Sequence, residues 1–249
     1  MKWIFLFVAG SLLVCNTLWA QKGWNLKLPN QPDLTKAMAV SQIQPIYDER
    51  DADNNLEGIV EQPEKRNINN PRFFQTPTGI YAVVVVQNIA KEEPRISGWC
   101  DVFLFERKNA NWLLTVRKFM VGGWGTNGHA GNFKELLRTG QNSVGVVIKG
   151  GGSFMGHALA LDNIVTIENG KMSPTKATIA TYVDNGGDDA NPWCKKNTYQ
   201  FIPSQKKNYD LQITTTDCTK TEQPGKTDSV IVPCLNKQYT IPDNFRLGL

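Results

Sequence analysis

Short apolar segments separated by turn residues dominate the chain from residue 73 onward. Residues 80–86 are mostly β-branched and almost wholly apolar, a pattern that predicts a strand buried on both faces. Residues 99–106 and 112–120 are apolar segments on either side of Asn109-Ala110-Asn111, and this arrangement predicts a β-hairpin. Similar segments predict further strands, at residues 143–148, 157–167, 176–183, 197–202 and 209–215.

This pattern predicts a β-rich fold, either all-β or α+β, built mainly as an antiparallel sheet or sandwich. Alternating strand and helix segments are not visible, which disfavours a parallel α/β enzyme fold. One short N-terminal helix is predicted, because Leu34 and Ile43 belong to a set of apolar positions at helical spacing. Asp33 is the expected N-cap, and Pro45 is expected to end the helix. Residues 48–70 are charged and are expected to form an exposed linker.

The N-terminus has the organisation of a secretory signal peptide. Lys2 gives a short positive start, an apolar run follows, and Ala20 precedes the expected cleavage site. We therefore expect a signal peptide at residues 1–20, the helix and polar linker at 21–70, and a β-rich globular domain at 71–249. The mature protein is expected in the periplasm or secreted, without stable membrane insertion once the signal is cleaved, because no later run approaches about 20 apolar residues.

The charge and the cysteines narrow the function classes further. The net charge of +4 is evenly spread, which disfavours a nucleic-acid partner, and we expect no cofactor.

Four cysteines lie outside the signal segment, and an even number in an exported chain predicts two disulfides. We favour a Cys218–Cys234 pair, because the loop between them is short and contains a Pro-Gly turn. This choice leaves Cys100 to pair with Cys194.

A glycine-rich pattern occurs twice and contains both histidines of the chain. Gly-x4-Gly-His-Ala carries His129 in its first copy and His157 in its second. One interpretation is a pair of inter-strand loops in which glycine supplies special backbone conformations. The other is a pair of loops that converge beside a cleft. In that case both imidazoles, with a carboxylate from Asp184, Asp188 or Asp189, would form a transition-metal site. A solvated turn is the simpler explanation of these acidic residues, and we favour it.

Two loop tryptophans are candidate binding residues. Trp124 and Trp193 lie in stretches rich in glycine, asparagine and proline. A loop tryptophan either anchors a partner, because its flat amphipathic ring gives a large contact area, or folds back over the core.

Two function classes follow from these features. The first is an exported, disulfide-stabilised β-rich binding module, of the inhibitor or immunity type, that acts on an envelope-active enzyme or toxin. Its expected partner is another envelope or secreted protein, or a saccharide. The alternative is an envelope hydrolase whose site combines His129, His157 and the turn at residues 184–189. The absence of a specific catalytic motif in the sequence favours a protein that is not an enzyme.

Overall fold

A computed structural model describes residues 24–52, 63–93, 96–154, 156–186, 192–219 and 225–247. The predicted β-rich fold with antiparallel sheets and a short helix near the N-terminus is confirmed. The predicted signal peptide lies outside the described residues. Among the described residues, no helix is long and apolar enough to cross a bilayer.

The first sheet has five strands and is covered on one face by helix α1 (Lys36–Ala52). The strand β3 pairs with β1, β2 and β4, and β4 pairs with β5 at the edge. The bounds of its strands are β1 Lys65–Ile68, β2 Arg72–Thr76, β3 Gly79–Ile89, β4 Trp99–Lys108 and β5 Asn111–Gly122. In the β4–β5 hairpin, Asn109 and Ala110 have φ values of 49° and 69°, so the turn has the left-handed backbone that suits a two-residue hairpin although it lacks Asn-Gly.

Strands β3 and β4 are buried on both faces, as the sequence predicts for β3. Val84 of β3 and Phe103 of β4 face helix α1, whereas Val83 and Leu104 face the second sheet. All four side chains are fully buried. Alternate residues of one strand therefore supply two separate cores, and the first sheet is the central layer between the helix and the second sheet.

The second sheet has seven antiparallel strands that follow chain order. Its strands are β6 Asn132–Gly140, β7 Ser143–Phe154, β8 His157–Glu168, β9 Lys171–Asp184, β10 Cys194–Ile202, β11 Asp210–Asp217 and β12 Thr227–Val232. The sheet curls, because the end of β6 meets the segment that leads into β11. Gly140 forms an isolated bridge with Asn208, and the Tyr209 N–H donates to the Thr139 carbonyl at 2.9 Å.

The two faces of the curled sheet have different roles. Val146 and Val165 face the first sheet and complete the core between the sheets. Ile164 and Ile213 lie in a third core, which also contains Phe245 of the 3-10 turn Asp243–Phe245. This turn follows a small hairpin of β13 (Cys234–Leu235) and β14 (Gln238–Tyr239). The C-terminal segment therefore covers the face of the second sheet that the first sheet does not cover.

The helix differs from the sequence-based prediction at both ends. The side chain of Thr35, not Asp33, accepts the N-terminal hydrogen bond, from the Met38 N–H at 3.2 Å. Asp33 forms an ion pair with Arg107 instead. The helix continues through Pro45 to Ala52, so the prediction that Pro45 ends it is wrong. Ile43 and Tyr47 on either side of the proline are buried against the first sheet. This burial outweighs the roughly 3 kcal/mol that an interior proline costs a helix.

A buried carboxylate joins the helix to the first sheet. Asp101 of β4 is fully buried and accepts hydrogen bonds from the Tyr47 hydroxyl (2.6 Å), the Asn88 amide (2.8 Å) and the Met120 N–H (2.8 Å). Burial raises the pKa of Asp101, and the three donors oppose that rise. Arg66 lies over the Tyr47 ring at 4.2 Å from its centroid. Among the described residues, Tyr47 of the helix is the only one whose hydroxyl donates a hydrogen bond to Asp101.

Removing this hydroxyl should destabilise the fold in a pH-dependent way. Tyr47→Phe leaves a buried carboxylate short of one donor, a loss of about 1–3 kcal/mol. The folded state holds the Asp101 proton more tightly than the unfolded chain does. The stability that this group contributes is therefore greatest below about pH 4 and falls as the pH rises through the raised pKa.

The loss in Tyr47→Phe should therefore be larger at pH 7 than at pH 4, because removing the donor raises the pKa of Asp101 further. Urea denaturation at both pH values measures it. The matched control is Tyr81→Phe, which removes a hydroxyl that contacts the Thr78 hydroxyl at 3.1 Å. An equal loss in both variants, or no dependence on pH, would contradict this role for Asp101.

Candidate functional site

Three of the residues predicted from the sequence meet at one end of the second sheet. His157 begins β8, and its Nδ1 lies 3.3 Å from the backbone carbonyl oxygen of Asp184, 27 residues later in the chain. The rings of His157 and Trp193 have centroids 6.4 Å apart and are tilted by 39°. We call His157, Tyr182, Asp184 and Trp193 the Trp193 surface. It exists because β8 and β9 pair in the register that sets Ala158 opposite Asp184.

Trp193 is exposed, but its backbone is held firmly. The Asn185 side-chain oxygen accepts the Trp193 N–H at 2.8 Å, and the Asn185 N–H donates to the Trp193 carbonyl at 3.2 Å. Asn185 itself is buried. The residue after Trp193 is Cys194, which is joined to Cys218 by a disulfide. The indole therefore projects from an anchored backbone with 40% of its surface exposed.

The carboxylate of Asp184 is already engaged by its neighbours. Its Oδ2 accepts a short hydrogen bond from the Tyr182 hydroxyl. Its Oδ1 accepts the N–H groups of Ala158 (3.2 Å) and Gly186 (2.9 Å). The Tyr182 hydroxyl, with help from the two N–H groups, holds the pKa of Asp184 below its ordinary value. Asp184 thus carries a fixed negative charge beside Trp193.

The first Gly-His-Ala loop lies along the edge of β7 that faces away from β8. The Gly151 N–H donates to the Trp124 carbonyl at 2.6 Å, and the Gly98 N–H donates to the His129 carbonyl at 3.0 Å. Strand β7 therefore lies between this loop and β8, which carries His157. A backbone hydrogen bond between Gly151 and Trp124 joins the two glycine-rich loops. The two histidines, however, have different neighbours: His129 contacts Gly98, and His157 contacts Asp184.

The predicted metal site stays a prediction. Asp188 and Asp189 lie outside the described residues. Within the described ranges, no group of three or more His, Cys, Asp or Glu side chains is placed to hold a metal ion. Asp184 is near His157 through its backbone carbonyl, and its carboxylate is committed to Tyr182 and to backbone N–H groups.

The favoured disulfide pairing is wrong. Cys218 is bonded to Cys194, with Cα atoms 5.0 Å apart, and Cys100 and Cys234 are free. Strands β10 and β11 pair with Lys195 opposite Asp217, so the two bonded cysteines face each other just beyond that pair. Residues 218–226 connect β11 to β12, and Cys234 follows the far end of β12. A whole strand, roughly 20 Å, therefore separates Cys234 from Cys218.

The structure also contains a cavity that sequence reasoning missed. A space of about 530 Å³ opens among strands β6 to β10, within the volume range of small-molecule sites. Its lining includes Lys134, Asp162 and Tyr199 from three different strands. The one sequence signal for it is Asp162, a charged residue in the middle of β8 that follows the apolar residues 158–161. We call this space the β6–β10 cavity.

Comparison with known proteins gives no match: no protein-family model fits the chain, and neither the curated proteins nor the solved structures include a significant relative. The site must therefore be interpreted from its own geometry.

The disulfide should support the backbone of Trp193. Cys218→Ser removes a link that closes a 24-residue separation, and the chain-entropy model predicts a loss of about 3–4 kcal/mol. Cys234→Ser is the matched control, because it breaks no disulfide, and it should retain most of the stability. Thermal unfolding of both variants measures the difference. Non-reducing peptide mapping of the wild type should link Cys194 to Cys218, and a fragment linking Cys218 to Cys234 would contradict the pairing.

Proposed function

We propose that the protein is an exported binding module of the inhibitor or immunity type, and that the Trp193 surface contacts its partner. The expected partner is another envelope or secreted protein. The signal-like N-terminus and a disulfide between adjacent strands support export, since disulfides persist in oxidising compartments.

The observation that carries the proposal is the anchored, exposed indole of Trp193. Binding surfaces depend on a few residues, among which tryptophan is enriched, and such residues contribute most when their position is fixed before binding. The hydrogen bonds with Asn185 and the neighbouring disulfide fix the backbone of Trp193 in the free protein. Little ordering of this backbone would then be required when a partner covers the ring.

The groups around Trp193 suit recognition of a polar protein surface. His157 offers an exposed imidazole beside the indole, and Asp184 offers a fixed negative charge. The combination of an aromatic anchor with a polar rim is the usual anatomy of a protein interface. Because the pKa of Asp184 is lowered and its carboxylate is already hydrogen-bonded, Asp184 is a poor general base and contributes only its negative charge to the polar rim.

The experiment compares two tryptophans of nearly equal exposure. Trp193 is 40% and Trp124 is 38% exposed, so Trp124→Ala removes the same side chain from a different surface. The immobilised mature protein is incubated with envelope extract of the producing cell, and bound proteins are identified by mass spectrometry. A partner captured by the wild type should be retained by Trp124→Ala and lost by Trp193→Ala. With the purified partner, Trp193→Ala should weaken binding by about 30-fold or more.

The outcome is decided by the difference between the variants. Both variants must keep the wild-type melting temperature to within a few degrees. A partner that binds both variants equally, or a wild-type protein that captures no partner specifically, would contradict the proposal. If the wild type binds a glycan on a glycan array and Trp193→Ala does not, the partner is a saccharide and not a protein.

A further inference from the structure

The β6–β10 cavity combines a buried carboxylate that has its own partners with two lysines that form no ion pair among the described residues. The Asp162 side chain is only 1% exposed, and the ammonium of the more exposed Lys134 lies 2.6 Å from its Oδ2. The Tyr199 hydroxyl donates to the same carboxylate oxygen at 2.9 Å. Burial, reinforced by the charge of Asp162, raises the pKa of Tyr199, so this hydroxyl keeps its proton. The negative charge of Asp162 is therefore satisfied within the protein.

Two further lysines line the same cavity without such a partner. Lys149 of β7 and Lys196 of β10 are exposed and contribute to the lining. Across the described ranges, no ion pair is formed by either ammonium group. The second acid of the lining, Glu135, lies 3.9 Å from Lys134. Lys134 is thus shared by both acids, and with Lys149 and Lys196 the lining has three lysines against two carboxylates, a net positive charge that favours an anionic ligand.

Tyr182, Thr181, Thr198 and Asn197 contribute to the lining. The Asn197 amide is used within the protein, by the Ala180 and Phe245 carbonyls and the Thr215 hydroxyl. The Tyr182 and Thr181 hydroxyls donate to Asp184 and to the Ala160 carbonyl, and their oxygens keep lone pairs that can accept from a ligand. Neutral hydrogen-bonding groups beside charged ones favour a ligand that has many hydroxyl groups as well as an anionic group. An apolar ligand would displace water from these hydroxyl oxygens without replacing its hydrogen bonds, at a cost in affinity.

We propose that the β6–β10 cavity binds a sugar acid, with the ligand carboxylate held by Lys149 and Lys196 and its hydroxyl groups held by the polar wall. The cavity shares Tyr182 with the Trp193 surface, but Lys149 and Lys196 do not belong to that surface, so either proposal can fail without the other. Its volume of about 530 Å³ leaves room for one or two sugar units.

The test is calorimetric titration of the mature protein with glucuronic acid and with a uronic-acid disaccharide. Glucose and inorganic sulfate serve as a neutral sugar and a simple anion. The double variant Lys149→Gln/Lys196→Gln should weaken sugar-acid binding by at least about tenfold, since two charge-assisted hydrogen bonds are lost. The matched control is Lys171→Gln/Lys195→Gln, which changes the net charge equally at lysines outside the lining.

Each result decides the proposal. Saturable binding of the sugar acid that is lost in the cavity variant, kept in the control and weakened by added salt would support it. Failure of both sugar acids to bind, equal losses in the two double variants, equal affinity for glucose, or equal affinity for sulfate would overturn it. Melting temperatures of both double variants establish that they fold, and protein capture by Trp193 is measured separately.

Discussion

The architecture depends on the two-faced burial of the β3–β4 pair. Alternate side chains of these strands are apolar on both faces, so the pair is stable in water only if both faces are covered. Helix α1 covers one face, and the second sheet covers the other. The layers of the fold therefore follow from one requirement in the sequence between residues 80 and 105. The helix is not a separate appendage, because without it Val84 and Phe103 would be exposed to water.

This layering also determines where functional groups lie. The second sheet uses one end of its long strands for burial, with Val144 and Ile167 against the first sheet. The other ends of β7, β8 and β9 extend toward the hairpin that carries His157. There the polar residues of several strands come together, at the Trp193 surface and in the β6–β10 cavity. Tyr182 belongs to both, because it lines the cavity and donates to Asp184.

The features predicted correctly from the sequence are those encoded by local patterns. Largely apolar runs identified β3 and β4, and Asn109-Ala110 marked the hairpin between β4 and β5. Local rules failed where long-range packing decides. The helix continues through Pro45 because the burial of Tyr47 outweighs the cost of the proline. Cys218 pairs with Cys194 and not with Cys234, because the strand register, and not the length of the loop, decides which cysteines are adjacent.

The candidate sites were partly foreseeable for the same reason. Composition and loop context selected Trp193, His157 and Asp184 individually, but their meeting depends on the register of β8 with β9 and on the approach of β10. Apart from the charge of Asp162, the cavity was not foreseeable, because Lys134, Asp162 and Tyr199 come from β6, β8 and β10, which are separated by other strands of a sheet that curls. No local pattern encodes that closure.

The doubly covered β3–β4 pair should be the most stable part of the molecule. Amide hydrogen exchange followed by NMR tests it directly. Amides of residues 82–86 and 102–105 should exchange most slowly, with a free energy of opening equal to that of global unfolding. Amides of the edge strand β12, which pairs with β11 alone among the described strands, should exchange much faster. Exchange of the β3 and β4 amides at the rate of β12 would contradict the claim.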